Sequence, residues 1–117
     1  MKQPRQYIII EEKNDVSIVT FCDRKVLDEH DIQIWGYQLT LLPENGQINV
    51  ILDFKIVEYM SSAALGKLIT LSKGCYGKQG KVVICNMDRQ IYDTFEITGL
   101  KRIFHWADTL EDAIKMF

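Results

Sequence analysis

The sequence predicts an α/β domain: a mixed, mostly parallel sheet that opens with an antiparallel hairpin and carries about four helices. Three observations in the 117 residues lead there. Two strand-like runs near the N-terminus are separated only by Lys13-Asn14-Asp15, residues that suit a tight turn. From Asp28 onward, helical patterns alternate with short apolar runs, and strands joined through helices pair in parallel. Val50-Ile51-Leu52-Asp53 is apolar up to its final acid, as a strand covered on both faces would be.

Taken in order, residues 1–6 are polar and read as loose. Tyr7–Glu12 is rich in β-branched residues and reads as the first strand, and Val16–Cys22 as its antiparallel partner. Asp23–Asp28 reads as a loop whose last residue caps a helix. In that helix Ile32, Trp35, Leu39 and Leu42 recur every three or four residues, Ile34 and Leu41 widen the face, and Pro43-Glu44-Asn45-Gly46 stops it. Ile48–Asp53 is the central strand, followed by a short connection with Tyr59 and Met60 as expected core anchors.

The second helix is expected from Ser62 to about Gly77, with Gly80 closing the turn into the strand Lys81–Asn86. Asp88 can cap a third helix through Ile91, Phe95 and Ile97, which ends at Thr98-Gly99. Ile103–Trp106 reads as a short strand. A last helix begins at Asp108-Thr109-Leu110-Glu111, where Asp108 and Glu111 have capping-box spacing. Leu110, Ile114, Met116 and Phe117 supply its apolar side. With no repeat, linker or low-complexity tract, residues 1–117 are expected to form one domain.

Composition narrows the function classes. A hydrophobic content of 47% and a charged content of 26% describe an ordinary globular chain. The net charge of −2, with Lys and Arg scattered, argues against direct nucleic-acid binding, which needs concentrated basic charge. No apolar run approaches the roughly 20 residues that cross a bilayer, and the N-terminus has no signal-peptide core. The expected location is therefore cytoplasmic, away from membranes. Cys22, Cys75 and Cys85 are odd in number and widely spaced, and His30 and His105 lie far apart, so neither a disulfide framework nor a metal site is expected. No cofactor motif is present: there is no glycine-rich phosphate loop.

A nucleophilic serine needs a base within reach, and neither histidine has a context that marks it as one, so no catalytic residue is assigned and no enzyme is expected. What remains is Ser61-Ser62 at the junction of strand and helix. One of the two hydroxyls can accept a hydrogen bond from the first helical turn and do no more than that. Alternatively the junction is a phosphorylation site, because free N–H groups and the helix dipole tolerate added negative charge there. Local chemistry leaves both readings open.

Here the chain resembles the STAS domain, the fold of bacterial anti-sigma factor antagonists. Asp53 and then Tyr59-Met60-Ser61-Ser62-Ala63-Ala64-Leu65-Gly66 match a family pattern of a strand ending in Asp, then Asp-Ser-(Ser/Thr)-Gly-Leu-Gly. Val26-Leu27-Asp28 resembles the family's Gly-x-Leu-Asp loop, and Phe95–Phe104 resembles its Leu-x-x-Thr-Gly-Leu-x-x-x-Phe ending. The resemblance implies a STAS fold and an anti-sigma factor antagonist regulating sigma-factor-dependent transcription. It implies two partners, an anti-sigma factor with serine-kinase activity and a PP2C-type phosphatase. By position the phosphorylated serine is Ser62, with Ser61 as the fallback. The implied partner surface is Asp28, Ser61, Ser62, Ala63 and Ala64. Ser61 stands where the family has Asp, and Ala64 where it has Gly. The alternative is a STAS module that binds a protein or small ligand without being phosphorylated.

Overall fold

The computed structural model describes residues 5–117. Strands β1 (Ile8–Lys13) and β2 (Val16–Phe21) form the antiparallel hairpin. Its turn residues Asn14 and Asp15 have φ of 54° and 65°. Two consecutive left-handed residues match the right-handed twist of the flanking strands, and Asn and Asp tolerate that conformation better than most side chains. After β3 (Lys25–Val26) the chain enters helix α1 (Glu29–Glu44), then β4 (Asn49–Asp53), β5 (Tyr59–Met60) and α2 (Ser62–Gly77). It continues through β6 (Lys81–Cys85), α3 (Arg89–Ile97), a 3-10 turn at Leu100–Ile103, β7 (His105–Ala107) and α4 (Leu110–Ile114).

The main sheet runs β1-β2-β4-β6-β7, with every pair after the hairpin parallel. One face carries α1, α2 and α3. Ile32, Trp35 and Leu39 of α1, Leu65, Leu68 and Leu71 of α2, and Ile91 and Phe95 of α3 pack with Val19, Val50, Leu52 and Ile84. Phe21 meets the edges of Trp35 and Phe54 at centroid distances of 5.4 and 5.1 Å. The other face is covered by α4, whose Ala113 packs on Ile51, Val83 and Cys85. Two covered faces explain the unbroken apolar run of β4.

Asp28 and Asp88 cap α1 and α3 as expected, accepting from the amides of Asp31 (3.0 Å) and Gln90 (2.9 Å). Gly99 ends α3 in the left-handed region at φ 77°. The stretch Pro43–Gly46 ends α1 as expected, at Glu44 with Asn45 as the C-cap; Pro43 itself lies in the last turn, where the N–H it lacks costs one helical bond and the ring fills space beside Gly74. Its carbonyl accepts from Gly46 N–H and from Lys78 Nζ. Several other expectations are corrected. Ile34 is exposed, because the packed face of α1 is narrower than its apolar residues suggest. Tyr59 is not a core anchor: it is 57% exposed, while its strand neighbour Met60 points inward, as period-two alternation requires. Ile97, the last residue of α3, is 87% exposed.

The last strand begins at His105 and not at Ile103, since Leu100–Ile103 is taken by the 3-10 turn and Ser72 Oγ donates to the Ile103 carbonyl at 2.9 Å. The cap of α4 is Thr109, whose Oγ accepts from Asp112 N–H at 3.1 Å, and not Asp108. Cys75 and Cys85 are wholly buried, and burial pushes their thiols up to about 11 and about 12. Both stay protonated at neutral pH and behave as small apolar side chains.

Candidate functional site

The site lies at the C-terminal end of β4 and is built outward from Asp53. This carboxylate is 8% exposed, and its Oδ1 accepts from Lys55 N–H and Asn86 Nδ2, each at 3.0 Å. Phe54 N–H donates to the Cys85 carbonyl at 3.0 Å. The ends of β4 and β6 are therefore locked together, and Phe54 and Val57, both buried, hold the following loop against the core. The charge of Asp53 is spent on backbone order, which leaves β5 in a fixed place.

Strand β5 pairs in parallel with β3, Lys25 opposite Tyr59 and Val26 opposite Met60. Ser61 N–H extends the pairing to the Val26 carbonyl at 3.0 Å, and Glu58 N–H reaches the Arg24 carbonyl at 2.7 Å. This two-stranded ribbon brings the loop ending at Asp28 against the start of α2, although more than thirty residues separate them in sequence. Among the described residues, it is the only contact of backbone with backbone that joins the two loops.

At the start of α2 the two serines divide. Ser61 has extended backbone angles (φ −74°, ψ 163°), and its Oγ accepts from Ala64 N–H at 3.3 Å. Its own carbonyl accepts from Leu65 N–H, so Ser61 is the N-cap. Ser62 is the first helical residue, exposed, and its hydroxyl has no hydrogen-bond partner among the described residues. Ala63 is exposed as well. Ala64, expected on the partner surface, is wholly buried: its small side chain lets the first turn of α2 sit close to the core. It is a packing residue.

The surface around Ser62 holds apolar residues that were not expected on it. Leu27, Ile56 and Tyr59 are large, apolar and exposed. Beside them a groove of about 470 Å3 runs between α2 and α3, lined by Tyr59, Met60, Ser62, Leu65, Ile91 and Thr94. A two-residue strand has no periodicity to read, so the ribbon and the exposure of Tyr59 were invisible in the sequence.

Near Asp28, His30 and Asp31 bring their ligand-type atoms within 4.8 Å of one another and of the Asp28 carboxylate. The Asp28 carboxylate is bonded to the Asp31 amide, and Asp31 also faces Arg5 at 3.6 Å. Arg5 binds Asp23 too and lies 4.9 Å above the Tyr7 ring, so it ties the two ends of the 23–31 segment to the base of β1. His30 and His105 are both exposed, and neither bonds to a serine among the described residues. The arrangement offers an accessible hydroxyl on a positive helix end, without a nucleophile–base pair.

Comparisons with known proteins fit this geometry. The family model described as the STAS domain matches residues 7–113. BtrV of Bordetella bronchiseptica, provisionally named an anti-sigma factor antagonist, is 28% identical over 96 residues, covering 82% of this chain and 83% of that protein. An anti-sigma-factor antagonist (STAS) domain protein from Planctomyces limnophilus superposes with a TM-score of 0.81 at 16% identity, over 93% of this chain and 96% of that one. SpoIIAA of Bacillus, in its phosphorylated form, superposes with a TM-score of 0.74 at 17% identity, over 93% and 97%. A mixed sheet opened by a hairpin, with four helices, is thus shared with a family matched along nearly the whole described chain. The chain belongs to the STAS domain family.

Proposed function

We propose that this chain is an anti-sigma factor antagonist that binds an anti-sigma factor with serine-kinase activity and is switched off by phosphorylation of Ser62. The observation that carries the reading is the division between the serines: Ser61 supplies the cap, which leaves the Ser62 hydroxyl exposed and without a partner among the described residues. BtrV and the Planctomyces protein carry the name of anti-sigma factor antagonists, and SpoIIAA is described in both an unphosphorylated and a phosphorylated form.

The switch follows from charge. A phosphoserine brings about −1.5 to −2 charges. At the first turn of α2 that charge meets the positive helix end and unpaired N–H groups, so the fold keeps its stability. A partner seated over Leu27, Tyr59 and Ser62 would have to strip water from the dianion, which costs more than the contact returns. Asp28 and Ala63 complete this surface, and Ala64 supports it from below. A PP2C-type phosphatase would reverse the switch. The chain acts as a binding protein in the cytoplasm and not as an enzyme.

Ser61 in place of an acid removes one negative charge beside the acceptor, and this favours a second reading, a STAS module that is never phosphorylated. Affinity capture from lysate of the source cells with wild-type, Ser62→Ala and Ser62→Asp baits separates the two. The switch requires that wild type and Ser62→Ala retain an ATP-binding anti-sigma factor while Ser62→Asp binds it at least about tenfold more weakly. It also requires that the native protein carry one phosphate mapped to Ser62. Equal capture by all three baits, with no phosphate, leaves the constitutive module.

A further inference from the structure

We propose that the cleft outside the C-terminal ends of β6 and β7 binds a small organic cation with a flat, apolar body. This goes beyond the switch reading, and the cleft shares no lining residue with the groove beside Ser62. Topology opens it. β6 leads into α3 on the face that also carries α1 and α2, whereas β7 leads into α4 on the opposite face. Neighbouring parallel strands whose chains leave to opposite faces part at their C-terminal ends, and such clefts are where open α/β sheets hold ligands. Among the parallel strands of this sheet only β6 and β7 divide in this way, since α1, α2 and α3 all pack on one face.

Asn86, the first residue after β6, turns the chain aside with a φ of 56°, and its N–H donates to the Asp108 carbonyl at 3.2 Å. The two diverging segments are therefore tied together at the base of the cleft. The space between them is about 600 Å3, within the roughly 300–1,000 Å3 of small-molecule sites. Met87 and Tyr92 line it on one side, Trp106 and Met116 on the other, and all four are half-buried. The Trp106 ring meets Tyr92 and Phe95 edge to face, at centroid distances of 5.2 and 5.3 Å, so the aromatic wall is in place before a ligand arrives. Rings and thioethers suit a flat apolar body.

The polar lining sets the sign of the ligand. Trp106 Nε1–H donates to the Lys101 carbonyl at 2.9 Å, and Arg89 Nε donates to Asp93 at 3.3 Å. Lys101, behind the aromatic wall, stands over the Tyr92 ring at 5.4 Å and faces Glu96 at 4.0 Å. The positive groups around the cleft thus already have acidic or aromatic partners. The carboxylates of Asp108 and Asp112 do not. Both line the cleft and are exposed, and neither accepts a hydrogen bond or forms an ion pair among the described residues. The positive end of α4 offsets little of their charge, because that helix has only five residues. Two carboxylates beside aromatic rings favour a ligand that carries N–H donors and a positive charge, and they repel an anion.

Titration of the 15N-labelled full chain with phenethylammonium and with benzamidinium, followed by NMR, tests the site. At least one of the two cations should shift the Trp106 indole N–H and the amides of Met87, Arg89 and Asp108 saturably, with a dissociation constant below about 1 mM. The matched anions phenylacetate and benzoate should bind at least about tenfold more weakly. The double variant Asp108→Asn, Asp112→Asn keeps the backbone bonds to Asn86 and Thr109, so its spectrum away from the cleft should be unchanged. Its affinity for the cation should fall at least about tenfold. A dissociation constant above about 1 mM for both cations, anions bound as tightly as cations, or an affinity that survives the loss of both carboxylates overturns the proposal.

Discussion

Ser61→Ala removes the oxygen that accepts the Ala64 amide and should cost about 1 kcal/mol of folding stability. Ser62→Ala, one residue on, removes a hydroxyl without a partner among the described residues and should stay within about 0.5 kcal/mol of wild type. Urea denaturation of both variants checks the pair; equal losses would mean that the hydroxyls share the cap. At this scale the sequence is legible where a cap is a single residue in a clear context. Asp28 and Asp88 were read correctly because each precedes an unambiguous helical pattern. Two adjacent candidates defeat the same rule. Ser61 and Ser62 are equivalent by type, and what separates them is the bond from Ser61 N–H to Val26, a partner far off in the chain. Thr109 takes the cap that Asp108 was expected to supply by the same one-residue ambiguity.

At the level of elements, the entry into β6 depends on a close approach. A Cβ on Gly80 would lie 1.9 Å from the Ile48 carbonyl oxygen, and Lys81 N–H bonds to that same carbonyl at 3.0 Å, so the backbone cannot retreat without breaking the start of the pairing. Gly80→Ala should therefore destabilise by about 3 kcal/mol or more. Gly77→Ala, with nothing within 4 Å of the new methyl group and a place in the last turn of α2, should be neutral or stabilise by up to about 1 kcal/mol. Thermal unfolding of the two variants measures the contrast. The long elements were legible, α1 from apolar residues recurring every three or four positions and β4 and β6 from unbroken apolar runs. The β3–β5 ribbon was not, because two residues carry no period, and the 3-10 turn at Leu100–Ile103 hid inside an apolar run that reads equally well as a strand.

For the molecule as a whole, alternation of helices and strands was enough to call for a largely parallel sheet, since only crossovers can join parallel neighbours. Which face each helix covers was not written in any local pattern. Short α4 alone packs on the second face, and its anchor is Ala113, a residue too small to mark a core position in the sequence. The candidate site was legible as chemistry, a hydroxyl at a helix start, but its extent was set by tertiary pairing. The ribbon has a consequence for any attempt to imitate this surface. Residues 24–28 and 58–63 keep their relative position only through bonds such as Val26 to Ser61, and those bonds survive only while Phe54, Val57 and Met60 stay in the core. A synthetic linear peptide covering 57–70 would lack the neighbouring strand and the floor beneath it. In a displacement assay against the captured partner it should compete at least about a hundredfold more weakly than the intact protein, since it must first be ordered. A mimic small enough to be a drug would have to hold two distant stretches of chain side by side, so the epitope is conformational and offers no short linear motif to copy.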